Sequence, residues 1–127
     1  MKKKVLIVLG GNSREREVSI KTGKACMKAI RRLGYKTITF DPKKQSFLDI
    51  LKIKVDIIFN ALHGEEGEDG FAQSFFEFSK TPYTHSGVLA SMKAMNKVIS
   101  KEIFVKNKIL TPRFHLIKKK QFFSKNI

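Results

Sequence analysis

Short apolar runs rich in β-branched residues alternate with longer segments whose apolar residues recur every three or four positions. The continuous apolar runs are 4–9 and 55–62, and two further strand candidates, 35–40 and 81–85, contain fewer apolar residues. A continuous run of this kind is typical of a strand buried on both faces, and the three-to-four spacing is typical of an amphipathic helix. Because strands that alternate with helices form parallel sheets covered on both sides, we predict an α/β fold with a four-stranded parallel sheet and helices on both faces.

The predicted helices have recognisable ends. We expect Gly34 to end the helical pattern of 18–33, because glycine readily adopts the left-handed conformation found just past a helix C-terminus. A second helix is predicted to start near Asp69. The apolar spacing of 88–106 indicates one or two further helices, the last of them capped by Asn96.

The composition is strongly basic. The chain of 127 residues has 26 Lys and Arg against 11 Asp and Glu, a formal net charge of +15. Proteins that bind nucleic acid or acidic membranes show such an excess, but they cluster the basic residues on one face or in one motif. Here the lysines are scattered, and only 2–4 and 118–120 form short blocks. We therefore interpret the charge as a solvated surface and predict no nucleic-acid or membrane partner.

Cysteine content and hydropathy indicate a cytoplasmic protein. The single cysteine, Cys26, excludes an internal disulfide and lies on the apolar side of the first helix, where we expect a buried structural thiol. The apolar run 5–9 is shorter than the core of a secretory signal, and no segment approaches transmembrane length. We expect a soluble, cytoplasmic protein with one compact domain.

Two unusual loops follow the first and third predicted strands. They are GGNSRERE at 10–17 and HGEEGEDG at 63–70. Because the carboxyl ends of parallel strands lie at one edge of the sheet, where ligand crevices form, we expect the two loops to be neighbours and to form the functional site. The first loop lacks the spaced glycines of a dinucleotide-binding fingerprint, and its acids would repel a pyrophosphate.

Glu15 and His63 are the candidate functional residues of these loops. Glu15 stands near the start of the first helix, where the helix dipole favours an ionised carboxylate. It is either an ordinary first-turn acid or a group that holds a substrate ammonium ion. His63 is either structural or able to bind an anion or transfer a proton. Glu68 and Asp69 are expected to cap the next helix. No metal site is predicted, because the other two histidines show no ligand spacing with His63.

Four segments together resemble the D-alanine–D-alanine ligases of bacterial cell-wall synthesis. They are LGGNSREREVSIKTG (9–23), NALHGEEGEDGFAQ (60–73), PYTHSGVLASMKAMNKVISKEIF (82–104) and ILTPRF (109–114). EREVS and HGxxGEDG at this separation form a specific pair of signals. Enzymes of this family have three domains, a Rossmann-like α/β domain followed by two domains that form an ATP-grasp module. The resemblance implies that 1–110 is the N-terminal α/β substrate domain, that 111–127 begins the central ATP-grasp domain, and that the remaining domains are missing from this sequence.

The resemblance also implies a reaction and roles for particular residues. ATP phosphorylates the carboxylate of one D-alanine, and the amine of a second D-alanine attacks the acyl phosphate to form the dipeptide for peptidoglycan synthesis. Glu15 corresponds to the catalytic carboxylate that holds the ammonium group of the first D-alanine, with Val18, Ser19 and His63 in the same substrate-binding region. Lys97 corresponds to a nucleotide-binding lysine. ATP and Mg²⁺ are the implied cofactors, with ligands mostly outside this sequence, and the full-length enzyme is expected to be a homodimer.

Departures from the family pattern leave other functions open. Asn96 replaces the usual aspartate before Lys97; it can cap a helix equally well but carries no charge. A complete ligase needs roughly two to three times this length at typical domain sizes, so we expect the chain alone to be inactive. One alternative is a stand-alone amino-acid-binding module or a subunit that pairs with a separate ATP-grasp chain. Another is a basic nucleic-acid binder with an inherited fold.

Overall fold

The computed structural model describes residues 2–117 and has a parallel sheet at its centre. Its strands are β1 (Lys4–Val8), β2 (Lys36–Phe40) and β3 (Ile57–Asn60). They are ordered β2-β1-β3, with Lys4 opposite Lys36 and Val5 opposite Ile57. The central strand is therefore the continuous apolar run VLIV, which can bury both of its faces.

The helices follow the strands as the sequence spacing predicts. They are α1 (Arg16–Arg32), a 3₁₀ helix (Phe47–Lys52), α2 (Phe71–Phe78), α3 (Val88–Met95) and α4 (Lys97–Lys106). Gly34 has a φ of 84° just past the end of α1, as expected of a helix-ending glycine. The side chain of Asn96 accepts hydrogen bonds from the N–H groups of Val98 and Ile99, which confirms its predicted capping position.

Apolar side chains cover both faces of the sheet. On one face, Leu6 and Val8 pack with residues of α2 and the 3₁₀ helix around the fully buried Phe76. On the other face, Val5 and Ile7 pack against α1. Complete burial of one such side chain contributes about 1.5–3 kcal/mol. Because alternate residues of β1 face opposite sides, this strand stabilises the packing of the helices on both faces of the sheet.

Cys26 is less buried than the apolar spacing of its helix predicts. Its side chain is only partly buried. Three other residues of α1 pack against the sheet, namely Ile20, Met27 and Ile30. These positions centre the apolar face of the helix away from Cys26, so the thiol that was predicted to be buried is only partly buried.

The predicted fourth strand at 81–85 is a single β-bridge. Ile58 donates to the carbonyl of Pro82 at 2.8 Å and accepts from the N–H of Thr84 at 3.0 Å, which pairs it with Tyr83 in parallel. Pro82 has no N–H to donate, and His85 has a φ of 78°, which is outside the strand region. The ladder therefore stops after one bridge, and the described sheet has three strands instead of four.

The chain divides into two compact units, Met1–Met95 and Asn96–Ile127. The first contains the sheet and α1 to α3. In the second, Lys101 Nζ, on α4, donates to Thr111 Oγ1 at 2.6 Å and to the carbonyl of Pro112 at 3.0 Å. The predicted domain boundary after residue 110 stays a prediction, and part of the predicted segment 111–127 lies outside the described residues. Within 2–117, no helix combines the length and apolarity needed to cross a bilayer.

Candidate functional site

The turn after β1 is closed by side chains of the protein itself. Gly10 and Gly11 have φ values of 88° and 74°. The N–H of Gly10 donates to Ser19 Oγ at 2.8 Å, and the N–H of Gly11 donates to Asp41 Oδ1 at 3.1 Å. A phosphate cradle needs backbone N–H groups that are free to face the ligand. Because both groups are already bonded, this glycine turn does not fit the phosphates of a nucleotide.

An ion pair between Arg16 and Asp41 holds the turn in place. The guanidinium donates to both oxygens of the Asp41 carboxylate, at 2.9 and 2.7 Å, and also to the carbonyl of Gly11 at 2.9 Å. The hydrogen bond from Arg16 lowers the pKa of Asp41 to about 2, although partial burial opposes the shift. The same bond raises the pKa of Arg16. A Cβ atom on Gly10 would lie 2.5 Å from Asp41 Oδ1, so the pair requires glycine there.

The Arg16–Asp41 pair was not predicted from the sequence, although a signal for it existed. Asp41 directly follows β2, and β2 lies next to β1 in the sheet. The carboxyl ends of both strands therefore reach the same edge, which places Asp41 beside the Gly10-Gly11 turn.

Ser19 joins the same turn to the end of β3. Its side chain is fully buried, and its hydroxyl donates to the carbonyl of Ala61 at 2.7 Å while accepting from Gly10. These bonds use its proton and one of its lone pairs to hold backbone. The structure therefore shows Ser19 as a support of the site, and its direct contact with a substrate stays a prediction.

The two loops are neighbours, as the strand directions predict. Ser13 Oγ donates to the carbonyl of His63 at 2.7 Å, and Asn12 Nδ2 donates to Glu66 Oε2 at 3.3 Å. Glu15 occupies the N-cap position of α1 but makes no side-chain capping bond. Its carboxylate is exposed and lies 3.5 Å from the position that a Cβ atom would take on Gly64. Glu15 therefore reaches the second loop with its carboxylate free of a capping role.

His63 borders a cavity of about 220 Å³ at the carboxyl end of β3. Its Nε2 is 3.1 Å from Thr22 Oγ1, and its Nδ1 is 3.9 Å from Glu68 Oε1. The lining residues come from α1, β3, the second loop, the segment before α3 and α3 itself, and they include Thr22, Asn60, His63, Glu68, His85 and Ser91. Glu15 is not among the lining residues. The loops of Glu15 and His63 converge, but Glu15 does not line this particular cavity; a cavity shared by both side chains stays a prediction.

The acids of the second loop mostly organise the loop. Asp69 accepts from the N–H of Phe71, the first residue of α2, at 3.0 Å and from the N–H of Glu66 at 2.9 Å, but Gly70 occupies the N-cap position that was predicted for an acid. Glu68 instead accepts from the N–H of Gly64 at 2.8 Å. The expectation that Glu68 caps the helix is wrong, because its side chain turns back to the loop and to His63.

Buried amides hold the second loop from below. Asn60 Nδ2 and Gln73 Nε2 both donate to the carbonyl of Gly67, at 2.9 and 2.8 Å. Asn60 and Gln73 are nearly completely buried. Neither amide was predicted as a site residue, because a polar residue inside an apolar run does not reveal its partner without a structure.

The remaining predicted site residues are Val18 and Lys97. Val18 is 53% exposed on α1, one turn after Glu15. Lys97 is the first residue of α4, has an exposed side chain and belongs to the second compact unit. Across residues 2–117, no three or more His, Cys, Asp or Glu side chains are grouped so that they could hold a metal ion. The described residues therefore do not fit a Mg²⁺ site of that kind.

Comparisons with known proteins agree with this architecture. A family model described as D-ala D-ala ligase N-terminus matches residues 39–86. The D-alanine–D-alanine ligase of Pelagibacter ubique is 54% identical over 114 residues, which are 90% of this chain and 38% of that protein. The D-alanine–D-alanine ligase of Parvibaculum lavamentivorans is 49% identical over 102 residues, which are 80% of this chain and 33% of that protein. The chain thus spans between 33% and 38% of the length of these two relatives.

Solved structures confirm the α/β fold. The crystal structure of the D-alanine–D-alanine ligase from Bacillus anthracis complexed with ATP matches with a TM-score of 0.78 and 27% identity, over 98% of this chain and 43% of that chain. The ligase from Aeromonas hydrophila shares the fold with a TM-score of 0.83 at 21% identity, over 98% of this chain and 55% of that chain. This chain belongs to the D-alanine–D-alanine ligase family and corresponds to the N-terminal part of its members.

Proposed function

We propose that this chain is the N-terminal, substrate-binding part of an ATP-dependent D-alanine–D-alanine ligase that makes the dipeptide for peptidoglycan synthesis. The observation that carries the proposal is the 54% identity to such a ligase across 90% of the chain. The whole enzyme would use D-alanine and ATP as substrates with Mg²⁺, and would act in the cytoplasm as a homodimer.

Glu15 is proposed to hold the ammonium group of the first D-alanine. Its carboxylate makes no capping bond and stands at the positive end of α1, where the helix dipole attracts negative charge. The Arg16–Asp41 pair and Ser19 fix the preceding turn, so the backbone that carries Glu15 is positioned before a ligand arrives. Val18 supplies an exposed apolar surface one turn further along α1.

His63 is proposed to complete the D-alanine pocket from the second loop. It borders the 220 Å³ cavity and is joined to the first loop through its own carbonyl, which accepts from Ser13. A neutral imidazole has one donor and one acceptor nitrogen, which suits contact with a small zwitterion. Phosphoryl transfer requires cations placed around the phosphates. We assign that task to segments outside this chain, with Lys97 as the one proposed contact to the nucleotide.

The test measures phosphate release from ATP in the presence of D-alanine and Mg²⁺. We expect release by the longer protein that carries this chain and none by the 127 residues alone. In the longer protein, Glu15→Gln should lower kcat/KM for the first D-alanine by about 10- to 100-fold, the effect of losing a charged hydrogen bond worth about 1.5–3 kcal/mol.

The matched control is Glu17→Gln, which removes the other exposed acid of the same turn and should change kcat/KM by less than about twofold. A folded longer protein that releases no phosphate with D-alanine would contradict the proposed function. A normal rate in Glu15→Gln would remove only the role of Glu15.

A further inference from the structure

Helix α1 makes two hydrogen-bonding contacts with the residues that follow β3. Ser19 bonds Ala61, and one helical turn later Thr22 bonds His63. Both contacts join the first turns of α1 to the chain that directly follows β3. Gly23 allows this close packing, because a Cβ atom there would lie 2.6 Å from Leu9 Cβ. The Thr22–His63 contact is thus built into the packing of α1.

The charges around the His63 ring decide which nitrogen carries the proton. Glu68 is anchored by the N–H of Gly64, and its free oxygen lies 3.9 Å from Nδ1. An ionised carboxylate only accepts hydrogen bonds, so it favours the tautomer with the proton on Nδ1. The hydroxyl of Thr22 can donate or accept, and it then donates to the lone pair on Nε2.

We propose that Thr22 is a positioning residue, which holds His63 as the Nδ1–H tautomer by donating its hydroxyl proton to Nε2. The 3.9 Å between Nδ1 and Glu68 is too long for a direct hydrogen bond. The Nδ1–H group therefore remains available to an accepting atom of a ligand in the cavity. The carboxylate of an amino acid has such an atom; for D-alanine, with its ammonium group at Glu15, this step rests on the proposed function.

The tautomer can be measured without any substrate. We expect long-range ¹H–¹⁵N spectra of the histidine-labelled chain at alkaline pH to show His63 as the Nδ1–H form. Thr22→Val keeps the shape of the side chain but removes the hydroxyl, and it should shift His63 toward the Nε2–H form. Thr22→Ser restores the hydroxyl and should restore the wild-type spectrum. The ring of His85, whose Nδ1 contacts Thr84 Oγ1 at 3.0 Å, serves as the internal control.

Two results would overturn the proposal. One is a wild-type spectrum in which Nε2 carries the proton, and the other is a folded Thr22→Val variant with an unchanged tautomer. Should Thr22→Val not fold, Thr22→Ala gives the same test, because it also removes the hydroxyl that contacts Nε2.

A kinetic measurement separates this inference from the proposed function. In the longer protein, Thr22→Val should raise KM for the first D-alanine about fivefold, the effect of one neutral hydrogen bond, with kcat changed less than KM. An unchanged KM would overturn the positioning role. A longer protein without ligase activity, combined with the expected tautomer shift, would contradict the proposed function and leave the role of Thr22 in place.

Discussion

Polar side chains around the Gly10-Gly11 turn mainly hold backbone groups. Ser19 and Asp41 take up the two glycine N–H groups, and Arg16 takes up the carbonyl of Gly11. A buried or half-buried backbone group without a partner costs about 1–3 kcal/mol. These residues therefore stabilise a left-handed turn that would otherwise leave several such groups unpaired. Glu15 follows this turn, and its exposed side chain takes no part in these bonds.

Asp41→Asn should destabilise the fold at neutral pH. The pKa of Asp41 is lowered to about 2 from 3.8 by its hydrogen bond with Arg16. With allowance for solvent screening, the lost contribution is about 1–2 kcal/mol. Because the folded-state pKa is the lower one, the contribution is complete above about pH 4 and is lost as the pH falls through about 2. Urea unfolding should therefore show a difference in the free energy of unfolding between wild type and variant, and this difference should become smaller from pH 7 to pH 2.

Asp49→Asn is the matched control for that experiment. Asp49 also pairs with a basic residue, Lys52, at 2.8 Å, but its side chain is 39% exposed and that of Lys52 is 78% exposed. Exposed pairs contribute little to stability, so the urea midpoint should hardly move. A gap between wild type and Asp41→Asn that stays constant from pH 7 to pH 2 would contradict the assigned role of the pair.

At the scale of elements, α1 connects the two loops of the site. Its first turns bond the end of β1 through Gly10 and the end of β3 through Ala61. Its apolar face packs on the sheet through Ile20, Met27 and Ile30. Displacement of this helix would therefore move Glu15 and Thr22 together, away from His63.

Gly23→Ala should destabilise the protein even though alanine favours helix formation. In an exposed helix the change would stabilise by about 1 kcal/mol. Here a Cβ atom would lie 2.6 Å from Leu9 Cβ and 2.7 Å from Leu9 Cδ2. Overpacking of this kind costs about 1–3 kcal/mol, which chemical denaturation would measure. Lys24→Ala, at the next and exposed position, should change stability by less than about 0.5 kcal/mol. A stabilised Gly23→Ala variant would show that α1 can shift without cost.

At the scale of the whole molecule, the net charge of +15 acts on stability as well as on partner choice. Like charges repel one another in the compact state. The lysines of α1 at 21, 24 and 28 are all exposed, so this repulsion is carried at the surface, where salt screens it.

Added salt should therefore raise the melting temperature. At about 0.1 M salt the screening length is about 10 Å, so an increase from about 0.02 M to 0.3 M NaCl should weaken most of the repulsion. Differential scanning calorimetry would measure the shift. A triple variant, Lys21→Gln, Lys24→Gln and Lys28→Gln, should show a smaller shift than wild type. A melting temperature that falls with added salt in the wild type would contradict the argument.

Several features follow from the sequence alone, because they depend on local preferences and on strand direction. The apolar runs predict the parallel sheet, and Gly34 and Asn96 predict helix ends through their own conformations and hydrogen-bonding groups. The neighbouring position of the two loops follows from the shared direction of β1 and β3. None of these predictions needs a distance between particular side chains.

Only the tertiary structure decided which side chains meet. Three contacts of the site join residues that are far apart in the sequence. Arg16 and Asp41 are 25 positions apart, Ser19 and Ala61 are 42 apart, and Thr22 and His63 are 41 apart. Such contacts depend on strand order and on how closely α1 approaches the sheet. The prediction of a fourth strand was wrong for a similar reason, since Pro82 and the backbone of His85 end the pairing after one bridge. The conformational preferences of neighbouring residues determine where the helices and strands form. The contacts of the site arise from the packing of these helices and strands, and local sequence patterns do not predict that packing.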